Sequence, residues 1–511
     1  MHEKGSFAAP LFFLALAMAS IASLYGTIAP SAATAGMFAA SAWASSRGAF
    51  RLSVPAMLVM AYGSVVALHT LLVSDVYTPA GLYHPLVLVA AFIAGQRLGE
   101  PLQRSAVLGL LLFAAILVLW GLLQVGPWGL ARARAIFETP ATYAGALNFP
   151  LIMIAALLVC GRRTVPLAAL ASLLAAAVFA AESRGAFIAL AGGGAVVLVL
   201  GRRAGILKAK NLVLVFALFA TGCVLSLALR VVPWAQMSIG SAVELGPSAQ
   251  QLSDSTQSRL ELYSASWNEW QEHPLSGTGY LTFRYVLEQR RAAIPSYGAE
   301  AETWVVHNDY LQSLQELGPL GLLALLALAA IPHMLAYRRI ATTPEPRKAN
   351  CVAAAGALAA MALHALVDFP FHVPVTLALF GAFLGALDAQ LAPIAYPAKI
   401  ALAAPTTWAR ALRATVFAVA GVILLRPVVA EAAADWGMRR FVAGDGVGAA
   451  FWLAAAQRMA GRVREAVEYL PDHPNLGRDG RLRGTRELVV TGTPFIVIYR
   501  VRLDTVQVLR V

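Results

Sequence analysis

Long uninterrupted apolar runs decide what this chain can fold into. A helix needs about 20 predominantly apolar residues to cross the hydrocarbon core of a bilayer. Runs of that length, or nearly so, fall at 7–29, 30–46, 53–73, 84–96, 105–125, 146–161, 165–181, 186–201, 211–230, 311–337, 350–368, 373–391 and 411–430. Lipid offers no water to satisfy exposed peptide groups, so such runs must close their hydrogen bonds internally, as helices. With 59% of 511 residues hydrophobic and only 13% charged, the chain is too apolar for a string of soluble domains. The expected class is an all-α polytopic membrane protein of about 12–13 transmembrane helices. The first run follows a short segment bearing Lys4 and lacks a convincing cleavage site, which reads as a retained signal anchor.

Charge then orients the helices. Short cytoplasmic loops retain Lys and Arg, and Arg47 with Arg51, Arg97 with Arg104, Arg162 with Arg163, Arg202 with Arg203 and Lys208, Arg338 with Arg339 and Lys348, and Lys399 with Arg410 occupy alternate loops. The N-terminus is therefore expected in the cytoplasm and the intervening loops in the periplasm. The net charge of +12 follows from that retention and does not call for nucleic acid. Cys160, Cys223 and Cys351 are odd in number and far apart, with no ligand spacing, so neither a disulfide nor a metal site is expected, and no cofactor.

The expected organisation is N-terminal transmembrane helices over 1–230, a large periplasmic loop over 231–310, C-terminal transmembrane helices over 311–430, a periplasmic helical segment over 431–460 and a tail over 461–511. Within the loop, Leu260, Tyr263, Trp267 and Trp270 recur at helical spacing beside charged positions, and the loop is expected to form short helices lying at the membrane surface. A helix beginning near Asn308 puts Asp309, Gln312 and Glu316 on one stripe, with His307 just outside its first turn. That stripe reads as a polar wall at a membrane mouth; the plainer reading is an interfacial histidine and an asparagine cap. Arg132 and Arg134 depart from the positive-inside pattern, either adding to a field that draws an anionic donor to the periplasmic side or carrying no function. Glu182 stands beside Arg184, either as its ion-pair partner or as a solvated carboxylate. His364 and Asp368, at helical spacing near the end of their span, read as a structural pair.

His307-Asn308, nine residues, then Gly318-x-x-Gly321 resembles the signature of the O-antigen ligases, a family sharing its GT-C-like fold with O-antigen polymerases and some bacterial protein O-oligosaccharyltransferases. Ser183-Arg184-Gly185 before a span, Ser258-Arg259 ahead of Pro274-Leu275-Ser276-Gly277-Thr278-Gly279, and the stretch His364 to Pro374 agree with it in order and position. The resemblance covers roughly 10–430. It implies a metal-independent, inverting transferase that moves glycan from an undecaprenyl-diphosphate carrier to lipid A core, another glycan or a protein, among membrane lipids at the periplasmic face of the inner membrane. It further implies His307 as the catalytic base and Arg184 and Arg259 as diphosphate ligands, with Asn308, Gly318, Gly321, His364 and Asp368 in support. Arginine suits that task, because its planar fork meets phosphate oxygens in pairs. Ligation to lipid A core leads; polymerisation and protein glycosylation use the same donor. A transporter of lipid-linked sugars, the non-enzyme alternative, would spread charges through many spans.

The tail reads differently. His473-Pro474-Asn475-Leu476-Gly477-Arg478, Gly484-Thr485-Arg486-Glu487-Leu488, and a three-stranded meander pattern with turns near Gly492 and Asp504 closely resemble the C-terminal half of ParE/RelE-type toxins. The opening strand and first helix of that family are missing from the match, so the expectation is a small α+β remnant without toxin activity.

Overall fold

The computed structural model describes residues 53–73, 80–98, 104–137, 139–161, 164–232, 249–283, 305–345 and 347–395 of the core, short pieces within 12–40, and parts of 440–510. The expected span at 411–430, most of 7–29, of 30–46 and of the 431–460 segment, and loop residues 233–248 and 284–304 lie outside the described residues.

Helices dominate the core: α1 (Val54–Leu72), α2 (Ala80–Leu98), α3 (Arg104–Val125), α4 (Pro140–Val159), α5 (Val165–Ala180), α6 (Arg184–Arg203), α7 (Ala209–Val231), α8 (Ala249–Glu272), α9 (Asp309–Arg339), α10 (Arg347–His364) and α11 (Pro374–Ala395). Many starts are encoded locally. Ser53, Thr139, Thr164 and Ser183 each accept a hydrogen bond from the backbone of the first turn, and the first three are followed by a proline that needs no donor there. Among the described residues, α1, α4, α6, α7, α9 and α11 are long and apolar enough to cross a membrane, and 81–96, 109–125 and 165–180 are shorter apolar helices. The chain is thus an all-α polytopic membrane protein with little sheet.

Glycine sets how closely these helices pack. A Cβ on Gly385 or Gly95 of the α2–α11 pair would strike the backbone carbonyl of Phe92 or Ala382, and one on Gly193 of α6 would lie 2.7 Å from the Gly356 oxygen of α10. In lipid, where apolar burial gives no drive between helices, such backbone contact supplies the dispersion energy that holds a bundle. By contrast α7 shows large side chains outward, with Phe216 at 72% exposure, as a lipid-facing helix should. At one end of the bundle Arg203 lies over the Tyr337 ring, 4.3 Å from its centre, close in sequence to Arg202, Arg338 and Arg339. Arg184 and Asp309 begin the same helices at the other end.

Among the described residues of the 231–310 loop, Ala249–Glu272 forms one helix, α8, which carries Leu260, Tyr263, Trp267 and Trp270. In the tail, β1 (Arg478–Asp479), β2 (Arg486–Val489), β3 (Ile496–Arg502) and β4 (Thr505–Arg510) form an antiparallel meander in that order. The expected three strands are joined by β1, whose Arg478 faces Glu487. Two residues are too short a strand to show in an alternation pattern. Buried Tyr499 ties the motif together, accepting from the Gly477 amide at 2.8 Å and donating to the Pro474 carbonyl at 3.1 Å.

Candidate functional site

The start of α9 is built by its own sequence. Asn308 caps it, its side-chain oxygen accepting from the Tyr310 and Leu311 amides at 3.1 Å. Immediately before the cap the backbone of His307 turns left-handed, φ 61°, a conformation that costs a residue with a Cβ and persists only when neighbours enforce it. They do: the Tyr263 hydroxyl of α8 donates to the His307 carbonyl at 2.9 Å, and the Val306 amide donates to Gln312 at 3.0 Å.

The polar stripe of α9 is no wall at a mouth. Asp309, Gln312 and Glu316 are each fully buried, because the loop and the α10–α11 hairpin fold over them. Asp309 accepts from the Phe371 amide at 2.7 Å and pairs with the His372 Nδ1. Glu316 accepts from the Leu281 amide at 2.8 Å, the Phe283 amide at 3.2 Å and Gln312 at 2.9 Å, and His372 Nε2 lies 3.6 Å from it. Burial alone would lower the pKa of His372; the Asp309 and Glu316 carboxylates outweigh it and push it up to about 10. Asp309, Glu316 and His372 thus bracket the 231–310 loop to the hairpin.

The two glycine motifs meet on this bracket. Gly318 kinks α9 with φ 67° and ψ −170°, angles open essentially to glycine alone, and its missing Cβ leaves room for the Leu275 carbonyl. Gly277, also left-handed, rides over Glu316, where a Cβ would stand 2.6 Å from the backbone. The Thr278 and Gly279 amides then donate to the Gln315 and Glu316 carbonyls that the kink frees, at 3.1 and 2.8 Å. Gly277-Thr278-Gly279 is therefore a seal on a broken helix. Gly318→Ala is expected to destabilise the protein by about 1–3 kcal/mol from backbone strain alone, read as a lower melting temperature in detergent; an unchanged melt would show that the kink can relax. Gly321 has a plainer place, within α9 one turn past the kink.

Asp368 ties His307 to the hairpin. One carboxylate oxygen lies 3.4 Å from His307 Nδ1 and accepts from the Phe369 amide at 3.1 Å; the other lies 3.4 Å from His364 Nε2. Burial opposes the charge on Asp368, but the hydrogen bonds and charges of His307 and His364 overcome it and hold the acid well below the usual carboxylate range. His364 itself is wedged between Gly145 and Gly185, where a Cβ on either would come within 3.0 Å of the ring. The pair read as structural is thus a triad: His364 braces Asp368, and Asp368 faces His307. An Asp368–His307 approach across 61 residues leaves no periodic signal in sequence. With Nδ1 turned to the carboxylate and the side chain still 20% exposed, Nε2 is the ring nitrogen left for another partner.

Arg184 and Arg259 come to the same face. Arg184, the first residue of α6, reaches Thr256 of α8 at 3.3 Å; one turn on, Arg259 donates to the Val367 carbonyl, next to Asp368, at 3.0 Å. Glu182, left-handed at φ 49°, turns away from Arg184 and pairs instead with Arg230 of α7 at 2.8 Å. Among the described residues neither Arg184 nor Arg259 enters an ion pair. Such an arrangement can hold a dianion beside a base supported by a carboxylate.

Comparison with known proteins divides the chain in the same two parts. Residues 167–326 match the family model described as O-antigen ligase, a span running from α5 past the Gly318 kink and holding Arg184, Arg259 and His307. Residues 448–511 match the ParE toxin of type II toxin–antitoxin systems, a match that begins upstream of Gly461. A curated relative, the putative toxin Y4kP of Sinorhizobium fredii, is 44% identical over 57 residues, 11% of this chain. The chain spans only 58% of that relative's length. The protein thus joins an O-antigen-ligase-like membrane core to a segment similar to part of a ParE toxin.

Proposed function

We propose that this protein transfers a glycan from an undecaprenyl-diphosphate carrier to an acceptor at the periplasmic face of the bacterial inner membrane, with ligation of O-antigen to lipid A core as its reaction. The observation that carries this reading is the placement of His307, backed by Asp368, beside Arg184 and Arg259, which have no carboxylate partner among the described residues. His307 Nε2 takes the proton of the acceptor hydroxyl as its oxygen attacks the anomeric carbon from the face opposite the carrier. A new carbon–oxygen bond forms, the bond to phosphate oxygen breaks, and the lipid diphosphate departs with its charge held by the two guanidiniums. Attack from behind inverts the anomeric centre. The donor, the acceptor and the periplasmic placement rest on this reading together with the O-antigen ligase match.

The test is transfer by the purified full-length protein in lipid nanodiscs, supplied with an undecaprenyl-diphosphate glycan and lipid A core. Glycan joined to lipid A core with inverted linkage is expected. Glycan that grows only on its own carrier would replace ligation by polymerisation, and a glycan left on the carrier would sink the transferase reading. For orientation, a cysteine at position 246 should react with an impermeant maleimide on intact spheroplasts; protection there would overturn the topology. The toxin-like tail, on the periplasmic side in that topology, is proposed to lack toxin activity because cytoplasmic targets are out of reach.

A further inference from the structure

Resting on that reading, we infer that Arg132 is a third ligand of the donor's diphosphate, held ready by the loop between α3 and α4. This arginine is clamped at its backbone and its side chain. Gln124, at the end of α3, folds the loop back by accepting from the Arg134 and Ala135 amides at 2.9 and 2.7 Å, and the Ala133 amide donates to the Ala180 carbonyl at 2.9 Å. The guanidinium then uses Nε and one terminal nitrogen on the Ala181 and Glu182 carbonyls, each at 2.9 Å. These carbonyls lie two and three residues before Arg184.

Two features exceed what a helix-end clasp requires. The second terminal nitrogen of the half-buried guanidinium has no partner among the described residues. The group also stands in the field of Arg259, Arg184 and Arg230, while the one carboxylate acting on it, Glu182, is 2.8 Å from Arg230 and neutralised by it. Three guanidiniums that share a single carboxylate already paired with Arg230 repel one another, and a dianion between them removes that cost. Burial and its three like neighbours push the Arg132 pKa down, against Glu182, the condition an incoming anion relieves. The preferred ligand is a diphosphate over a monophosphate, since the second phosphate gives the third fork its oxygens.

The experiment titrates the purified full-length protein in nanodiscs with undecaprenyl diphosphate, undecaprenyl monophosphate and inorganic diphosphate. Arg132→Gln is expected to weaken undecaprenyl diphosphate roughly ten- to a hundred-fold, the size of a lost charge-assisted hydrogen bond, and to erase the preference over monophosphate. Inorganic diphosphate should displace the lipid from wild type; failure to do so would put the contact on the lipid chain and overturn the inference. Wild-type affinity in Arg132→Gln, with Arg184→Ala and Arg259→Ala weakened, would also overturn it and leave the diphosphate site standing. Wild-type affinity in all three would defeat the site itself. If Arg132→Gln lowers the melting temperature, Arg132→Lys decides: a lysine keeps the charge without the two-carbonyl clasp, so recovered diphosphate preference supports the ligand role and its absence refutes it.

Discussion

His307→Ala is expected to slow glycan transfer by roughly a hundred- to ten-thousand-fold, the usual loss when a positioned base is removed, while the protein stays folded. The fold should survive because what anchors this position is backbone: the Tyr263 hydroxyl holds the His307 carbonyl and Asn308 caps α9. The ring itself makes the 3.4 Å approach to Asp368 and an edge contact with Phe369 at 5.1 Å. Alanine carries the left-handed strain of this position without the ring's contacts, so His307→Asn is the companion variant, asparagine being tolerated there. Both should melt near wild type and both should be nearly inactive. A transfer rate within a factor of two or so of wild type in either would remove His307 from the chemistry, since a base worth even the low end of that range could not be lost unnoticed. Asp368→Asn should lower the rate too, by no longer favouring the tautomer that exposes Nε2.

Glu316→Ala is expected to do the reverse, abolishing the folded protein without touching a reacting atom. Its carboxylate accepts from the Leu281 and Phe283 amides and from Gln312 at a site with no solvent exposure. Truncation strands those donors, each at about 1–3 kcal/mol, and leaves His372 with one carboxylate in place of two. The sum is of the order of the whole stability of a folded domain. Poor recovery from the membrane, a melting temperature lowered well beyond that of Gly318→Ala, and rapid proteolysis of the 231–310 loop are the expected signs. Glu316→Gln, which keeps the shape and one acceptor oxygen, should fall between. A Glu316→Ala protein that melts with wild type would show that the bracket between loop and hairpin is not what holds them.

The sequence by itself determined the membrane class, the places where many helices begin, and the identity of the junction at His307-Asn308. Those features are local: apolar length against bilayer thickness, a side-chain oxygen two or three residues before an amide, and the spacing of His307-Asn308 from Gly318-x-x-Gly321. It also marked Asp309, Gln312 and Glu316 as one stripe, because helical period places them so whatever surrounds them. Whether that stripe met water or protein was decided only when Leu281, Phe283 and Phe371 folded over it. The same holds for every long-range pair at the site. Asp368 facing His307, Glu182 choosing Arg230 over its near neighbour Arg184, and Arg132 set on the carbonyls before α6 depend on which helix ends are brought together. Packing through glycine-lined faces settles that, and a charge gives no sign in sequence of the partner that three-dimensional proximity will supply.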